Sequence, residues 1–177
     1  MITNADAATR PAKWLVAHAS LLPCSGEALD LACGKGRHAF WLGERGLRVL
    51  AVDRSAEAVG FVNAAAHRRG LPVRGEVQDL EVDEPAIELA AFDVIVGVHY
   101  LHRPLFPHLI AALRPGGVLV YETFTTEQAT RGKPSSPAFL LQSGELHRLC
   151  ASLDILAERE GDYDGRWVAS IVARRPI

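Results

Sequence analysis

Leu29-Asp30-Leu31-Ala32-Cys33-Gly34-Lys35-Gly36 runs from an apolar strand through a glycine turn into a helix. Gly34 and Gly36 carry no Cβ, so a ligand can come against the backbone there, and the helix that follows offers unpaired N–H groups. Asp30 sets a charge near the end of an otherwise apolar strand. A buried carboxylate is costly without a partner, so a cation or a hydrogen-bond donor is expected to meet it. A plain glycine turn with a structurally paired aspartate would account for these residues alone, but further signals fall at telling intervals along the chain.

Outward from that turn, short apolar runs alternate with longer amphipathic ones, the pattern of βαβ units and a parallel sheet. Strands are expected over 28–33, 48–53, 73–80, 92–98 and 118–121. Helices are expected over 11–22 and 36–45, from a cap at Ser55 to Arg69, and over 104–113 with Pro107 in its first turn. Gly46 and Gly70 stop two of them. Residues 125–142 form a polar stretch with two prolines, long enough to suggest a lid. A short helix over 145–152 follows. The last two strands, 153–158 and 167–173, are too close for a helical crossover and should pair as an antiparallel hairpin. The fold expected is α/β and Rossmann-like: seven strands, mostly parallel, the last antiparallel, helices on both faces. It fits one domain over 1–177 with its core at 26–175.

Composition narrows the function. The chain has 177 residues, 49% hydrophobic and 23% charged, with a formal net charge of -2. That balance gives no basic field for nucleic acid. No apolar stretch approaches the roughly 18–20 residues that cross a bilayer, and the N-terminus lacks a targeting pattern. Cys24, Cys33 and Cys150 are dispersed, with no metal-ligand spacing, as in a reducing compartment. A cytoplasmic protein is expected, with a small-molecule partner and neither nucleic acid nor membrane.

Two more acidic positions extend the motif. Asp53 closes the second strand about 20 residues past the glycines, where a carboxylate can accept hydrogen bonds from both hydroxyls of an adenosine ribose. Its structural alternative is to cap the Ser55 helix. Asp79, in Gln78-Asp79-Leu80, could accept from an adenine amino group with its neighbours flanking the ring.

Together these residues resemble the class I S-adenosylmethionine (SAM)-dependent methyltransferases, and among them the tellurite-resistance type and its small-molecule relatives. Leu29-Asp30-Leu31-Ala32-Cys33-Gly34-Lys35-Gly36-Arg37-His38 carries most of the likeness, with Pro115-Gly116-Gly117 and Gly144-Glu145-Leu146 in support. The resemblance implies that Asp30, Ala32, Cys33, Gly34 and Gly36 line the methionine half of SAM. It implies Asp53 and Arg54 at the ribose, and Gln78, Asp79 and Leu80 at the adenine. Val98-His99-Tyr100-Leu101 matches the family's fourth motif, beside the methyl donor. His99 and Tyr100 are therefore the candidates for touching the acceptor, His99 as proton acceptor or orienting group. Both could instead be structural, His99 bonding backbone and Tyr100 packing.

Gly34-x-Gly36-x-x-Ala39 with Asp53 also satisfies a dinucleotide fingerprint. Asp30 ahead of the glycines and the closing hairpin favour SAM over a nicotinamide cofactor. Arg37, His102 and Arg131 are candidates for the substrate rim, although solvated residues would look the same. Arg103, Lys133 and the Arg174-Arg175 pair read as surface, Trp14 and Trp41 as core. The function expected is SAM-dependent methylation of a small acceptor, such as a tellurite-type oxyanion or a thiol, giving S-adenosylhomocysteine (SAH). The alternatives are a non-catalytic SAM-binding protein and an NAD-dependent oxidoreductase.

Overall fold

The computed structural model describes residues 10–177. In chain order the elements are α1 (Lys13–Ala17), β1 (Gly26–Leu31), α2 (Arg37–Glu44), β2 (Leu47–Asp53), α3 (Ala56–Arg69), β3 (Val73–Val77), β4 (Phe92–Val98), α4 (Leu105–Ala112), β5 (Leu113–Phe124), α5 (Glu145–Leu149), β6 (Asp154–Tyr163) and β7 (Arg166–Arg174). The strands form a seven-stranded sheet in the order β3-β2-β1-β4-β5-β7-β6. β1 to β5 are parallel, while β7 runs antiparallel to both β5 and β6. The reversed strand is thus last in sequence but one place in from the edge, with β6 outside it. No helix among the described residues is long and apolar enough to cross a membrane.

Side-chain alternation along the strands builds two cores. Leu29, Leu31, Ile95, Leu119 and Tyr121 face Leu105, Phe106 and Leu109 of α4 and Leu146 of α5. Ala28, Val94, Val96, Val118 and Val120 face Trp14 and Leu15 of α1, Leu42 of α2 and Val62 of α3. The central strands are covered on both sides, which explains their continuous apolar runs. Strand order reverses at β1, with β2 on one side and β4 on the other. The crevice at the carboxyl ends of these strands is where open α/β sheets bind ligands.

Several boundaries differ from those expected. The first helix ends at Ala17 and gives way to a 3₁₀ turn, Ala19–Leu21, as the His18 ring takes up the Trp14 carbonyl at 2.9 Å. β3 stops at Val77. Beyond it only the Gln78 N–H still bonds β2, through the Asp53 carbonyl at 3.0 Å, and the Asp79 side chain then turns the chain by accepting from the Glu81 N–H. β5 reaches Phe124, and its Arg114–Gly117 segment bulges between the Phe92–Leu113 and Val94–Val118 pairs. The helix expected over 145–152 ends at Leu149. β6 and β7 are joined by two residues only, Asp164 and Gly165, at φ of 57° and 76°. Two positive φ angles make the turn whose twist suits a right-handed hairpin.

Residues 125–142 are better ordered than a polar loop suggests. Thr126–Thr130 and Pro137–Phe139 are 3₁₀ turns, and Thr125 pairs with Leu141 as an isolated bridge. The buried Gln128 carboxamide accepts from the Trp167 N–H at 2.9 Å and donates to the Lys133 carbonyl at 3.3 Å. Arg103, expected at the surface, is instead a clamp. It binds both oxygens of Glu145 (2.5 and 3.0 Å) and the carbonyls of Ala138 and Leu140.

Candidate active site

The glycine turn is held from two sides. Gly36, at φ 78°, is the N-cap of α2, and a Cβ there would come within 2.9 Å of Val62. Gly34 faces open space: a Cβ on it would meet nothing within 4 Å. Its N–H donates to Asp53 Oδ2 at 2.8 Å, while Asp53 Oδ1 accepts from the Ser55 N–H at 2.9 Å. Ser55 in turn caps α3 through the Ala58 N–H. Asp53 therefore ties β2 to the turn after β1, and lone pairs remain on both its oxygens.

Asp30 lies fully buried beneath this turn. The expected donor is the Ala39 N–H in the first turn of α2, which meets Oδ2 at 3.0 Å. Oδ1 has no hydrogen-bond partner and faces His38 Nδ1 at 3.6 Å; His38 Nε2 is likewise buried and unpartnered. Cys33 is buried, and burial followed by the Asp30 and Asp53 charges pushes its thiol well up, so it stays protonated.

At the carboxyl ends of β1, β2 and β4 lies a cavity of about 420 Å³, bounded across the top by the 125–142 segment. Of the residues expected at the site, Ala32, Asp53, Arg54, Gln78, Asp79, Leu80, His99 and Tyr100 line it. Asp30, Cys33, Gly34, Gly36, Val98, Arg37, His102 and Arg131 lie outside that lining. Val98 is buried behind the strand end. Arg131 is taken up by Asp162 at 2.7 Å and stands over the Trp167 ring, away from the cavity. Arg37 reaches the Arg10 carbonyl from the first turn of α2. Leu101, the last residue of the Val98–Leu101 motif, lines it too, and Glu81, Thr123, Phe124, Pro134 and Phe139 complete the wall without having been singled out by the sequence. Strand ends carry some of them, but the others come from loops without a periodic signal.

Strain marks the same place. Ala32 and His99, at the ends of neighbouring strands β1 and β4, have φ of 47° and 59°. Non-glycine residues reach this region at a cost, and they persist where the surroundings over-determine them. The His99 N–H is held by the Glu122 carbonyl at 2.8 Å, and its ring stacks on Phe124 at 4.6 Å. Burial, then the charges of Arg37, Arg166 and His38, push the His99 imidazole down to about 4. It is neutral at pH 7 and a weak base.

Tyr100 belongs to the other end of the cavity. Its carbonyl accepts from the Tyr121 hydroxyl at 2.7 Å, which fixes the backbone after β4. Its own hydroxyl is buried without a partner, as is Gln78 Oε1. Burial, then Glu81 and Asp79, push the Tyr100 phenol up to about 12, so it is a donor at neutral pH. Orphaned polar atoms beside paired carboxylates suit a ligand rich in hydroxyl and amino groups. The open cradle at Gly34 and a volume in the range of cofactor sites fit SAM as well.

The chain is also similar to known proteins. Residues 28–117 match a family described as methyltransferase domain. A tRNA U34 carboxymethyltransferase of Methylococcus capsulatus is 36% identical over 123 residues, covering 65% of this chain and 37% of that protein. A trans-aconitate 2-methyltransferase of Rhizobium meliloti is 35% identical over 121 residues, 66% of this chain and 45% of that protein. The chain thus spans less than half the length of these two relatives. Among solved structures, TehB from Haemophilus influenzae aligns with a TM-score of 0.73 at 19% identity, over 91% of this chain and 61% of that one. A SAM-dependent methyltransferase from Mesorhizobium loti gives 0.73 at 20% identity, over 93% and 98%. These two likenesses establish a shared fold.

Proposed function

The chain belongs to the methyltransferase-domain family, of the class I SAM-dependent kind, and from that premise we propose that it transfers a methyl group from SAM to a small acceptor at the cavity behind His99. The observation that carries this reading is the polar lining: Asp53 and Asp79 carboxylates, with the orphaned Tyr100 hydroxyl and Gln78 carboxamide, beside the open backbone at Gly34.

Asp53 accepts from the ribose hydroxyls with the lone pairs that Gly34 and Ser55 leave over. Asp79 accepts from the adenine amino group, with Gln78, Leu80 and Arg54 around it. Tyr100, as a protonated phenol, donates to this half of the ligand. Bound SAM supplies a methyl group on a good leaving group, so holding the acceptor close and in line accounts for most of the rate. His99 orients the acceptor through a neutral imidazole. The three cysteines are unpaired, in keeping with a reducing cytoplasm.

The exclusion of nucleic acid drawn from charge has no support in the comparisons, since relatives named for tRNA are among them. The acceptor panel therefore includes tRNA beside small acids, thiols and oxyanions. SAM-dependent release of SAH with one of these acceptors is the expected result. SAM binding without SAH release for any acceptor would leave a non-catalytic binding protein, and reduction of a nicotinamide would contradict the reading outright.

A further inference from the structure

Charge is unevenly shared along the cavity. Its formally charged lining residues are Asp53 and Arg54 at the end of β2 and Asp79 and Glu81 past β3. β5 lies three places from β2 in the sheet, roughly 14 Å away at ordinary strand spacing. There the lining is Thr123 and Phe124 of β5, with Pro134 and Phe139 from the segment that follows, and none of them carries a charge. His99, from β4 between β2 and β5, is neutral at pH 7 and stacks on Phe124. The arginine charges it feels, Arg37 and Arg166, stand outside the lining.

Phe139 is half-exposed, yet its backbone is fixed from both sides. The Arg103 guanidinium donates to the carbonyls of its two neighbours, Ala138 at 3.1 Å and Leu140 at 2.8 Å. Leu141, two residues on, donates its N–H to the Phe124 carbonyl at 2.9 Å, which sets Phe139 near the end of β5. An apolar ring left open to solvent but held in place is preorganised as a ligand face, since little freedom remains to be lost on binding.

We propose that the methyl acceptor is an uncharged small molecule with an aromatic ring, seated against Phe139, Phe124 and Pro134; this rests on the methyltransferase reading above. Offset or edge-on contact between rings adds to the burial of apolar area. An anion at this end would shed its water with no cation in the lining to replace it. Thr123 and His99 are the polar residues here, which suits a ring with one heteroatom better than the several polar edges of a nucleobase. The cavity, about 420 Å³, is small among ligand sites, so a guest that shares it with SAM is small as well. In the transfer a lone pair of the acceptor heteroatom forms the bond to the methyl carbon. The C–S bond breaks with its electron pair left on sulfur, and the heteroatom's proton leaves to water.

Calorimetry on the full chain is run first with SAH, then on the SAH-saturated protein with phenol, thiophenol and indole at millimolar concentration. Succinate, benzoate and uridine are the comparison probes. The expected result is uptake of at least one of the three neutral rings, tighter than any comparison probe. Phe139→Ala should weaken that ring by roughly fivefold or more, while Phe139→Tyr, which keeps an aromatic face, holds it within about twofold. Three results overturn this proposal and leave the methyltransferase reading intact: no uptake of a neutral ring, tighter uptake of an acid or of uridine, or a ring affinity that the two variants change equally or not at all. SAH weakened by Phe139→Ala in place of the ring assigns Phe139 to the cofactor and also overturns it. Failure of SAH to bind at all overturns both.

Discussion

Asp53 accepts the Gly34 N–H at 2.8 Å, so a single carboxylate at the end of β2 holds the glycine turn that follows β1. Its other oxygen accepts from the Ser55 N–H at the start of the α3 cap. The choice between ribose acceptor and helix-capping residue posed by the sequence is therefore not exclusive. The backbone bonds orient the carboxylate, and the same orientation presents its spare lone pairs to the cavity.

Asp53→Ala should then act twice. SAM or SAH affinity, read by calorimetry, is expected to fall by at least roughly tenfold, as the loss of hydrogen bonds to a charged acceptor implies. Urea unfolding without ligand should show a further loss of about 1–2 kcal/mol from the released Gly34 and Ser55 amides. Stability lowered with SAH affinity unchanged would restrict Asp53 to the structural role.

Gly97 lies under the Tyr121 ring, where a Cβ would come within 2.3 Å of an aromatic carbon. Tyr121 in turn holds the Tyr100 carbonyl. Gly97→Ala is expected to destabilise the fold by about 1–3 kcal/mol through overpacking in a closed core, and to loosen SAH binding by moving Tyr100. Tyr121→Leu in the same chain should relieve the clash but not restore the hydrogen bond, so stability would recover more than affinity. Denaturation and calorimetry on the parent and the two variants check this; a Gly97→Ala protein as stable as the parent contradicts it.

His99 gives the stability a slope on the acid side. Its imidazole is lowered from 6.5 to about 4 in the fold. Between those values the unfolded chain binds a proton that the folded chain refuses, so stability is complete above pH 6.5 and is lost as the pH falls toward 4. The size is on the order of 3 kcal/mol. His99→Asn should flatten this part of the curve, as measured by urea midpoints across the range. An unchanged slope would mean that His99 charges freely in the native state.

Arg103 links the start of α4 to Glu145 and to the 137–140 turn that carries Phe139. Arg103→Ala should cost only about 1 kcal/mol globally, since the guanidinium is partly exposed. Its larger effect is local: amides over 136–142 should exchange faster with deuterium, while those of β4 and β5 stay protected. Equal protection in both proteins would show that Gln128 alone suffices to fasten the segment.

The strands, their parallel order and the closing hairpin were legible because apolar runs of four to seven residues alternated with helical periods and glycine stops. β4 was read to the residue, since a strand covered on both faces has a continuous apolar run. Boundaries shifted where side chains compete with the ladder, as His18 does at the end of α1 and Asp79 does beyond β3. In the candidate site, residues at or just past strand ends were legible as cavity lining: Asp53, Asp79, His99 and Tyr100. The far wall was not. Phe124 comes from the end of β5, while Pro134 and Phe139 lie in the 125–142 segment that Gln128 and Arg103 fasten, and neither tether has a periodic or motif signature.

SAH binding, measured by calorimetry on the full chain and on Asp53→Ala, tests the central claim most directly. The account predicts one site per chain in the parent protein and an affinity at least roughly tenfold lower in the variant. No heat of binding at millimolar SAH, or equal affinity in the two proteins, would contradict it.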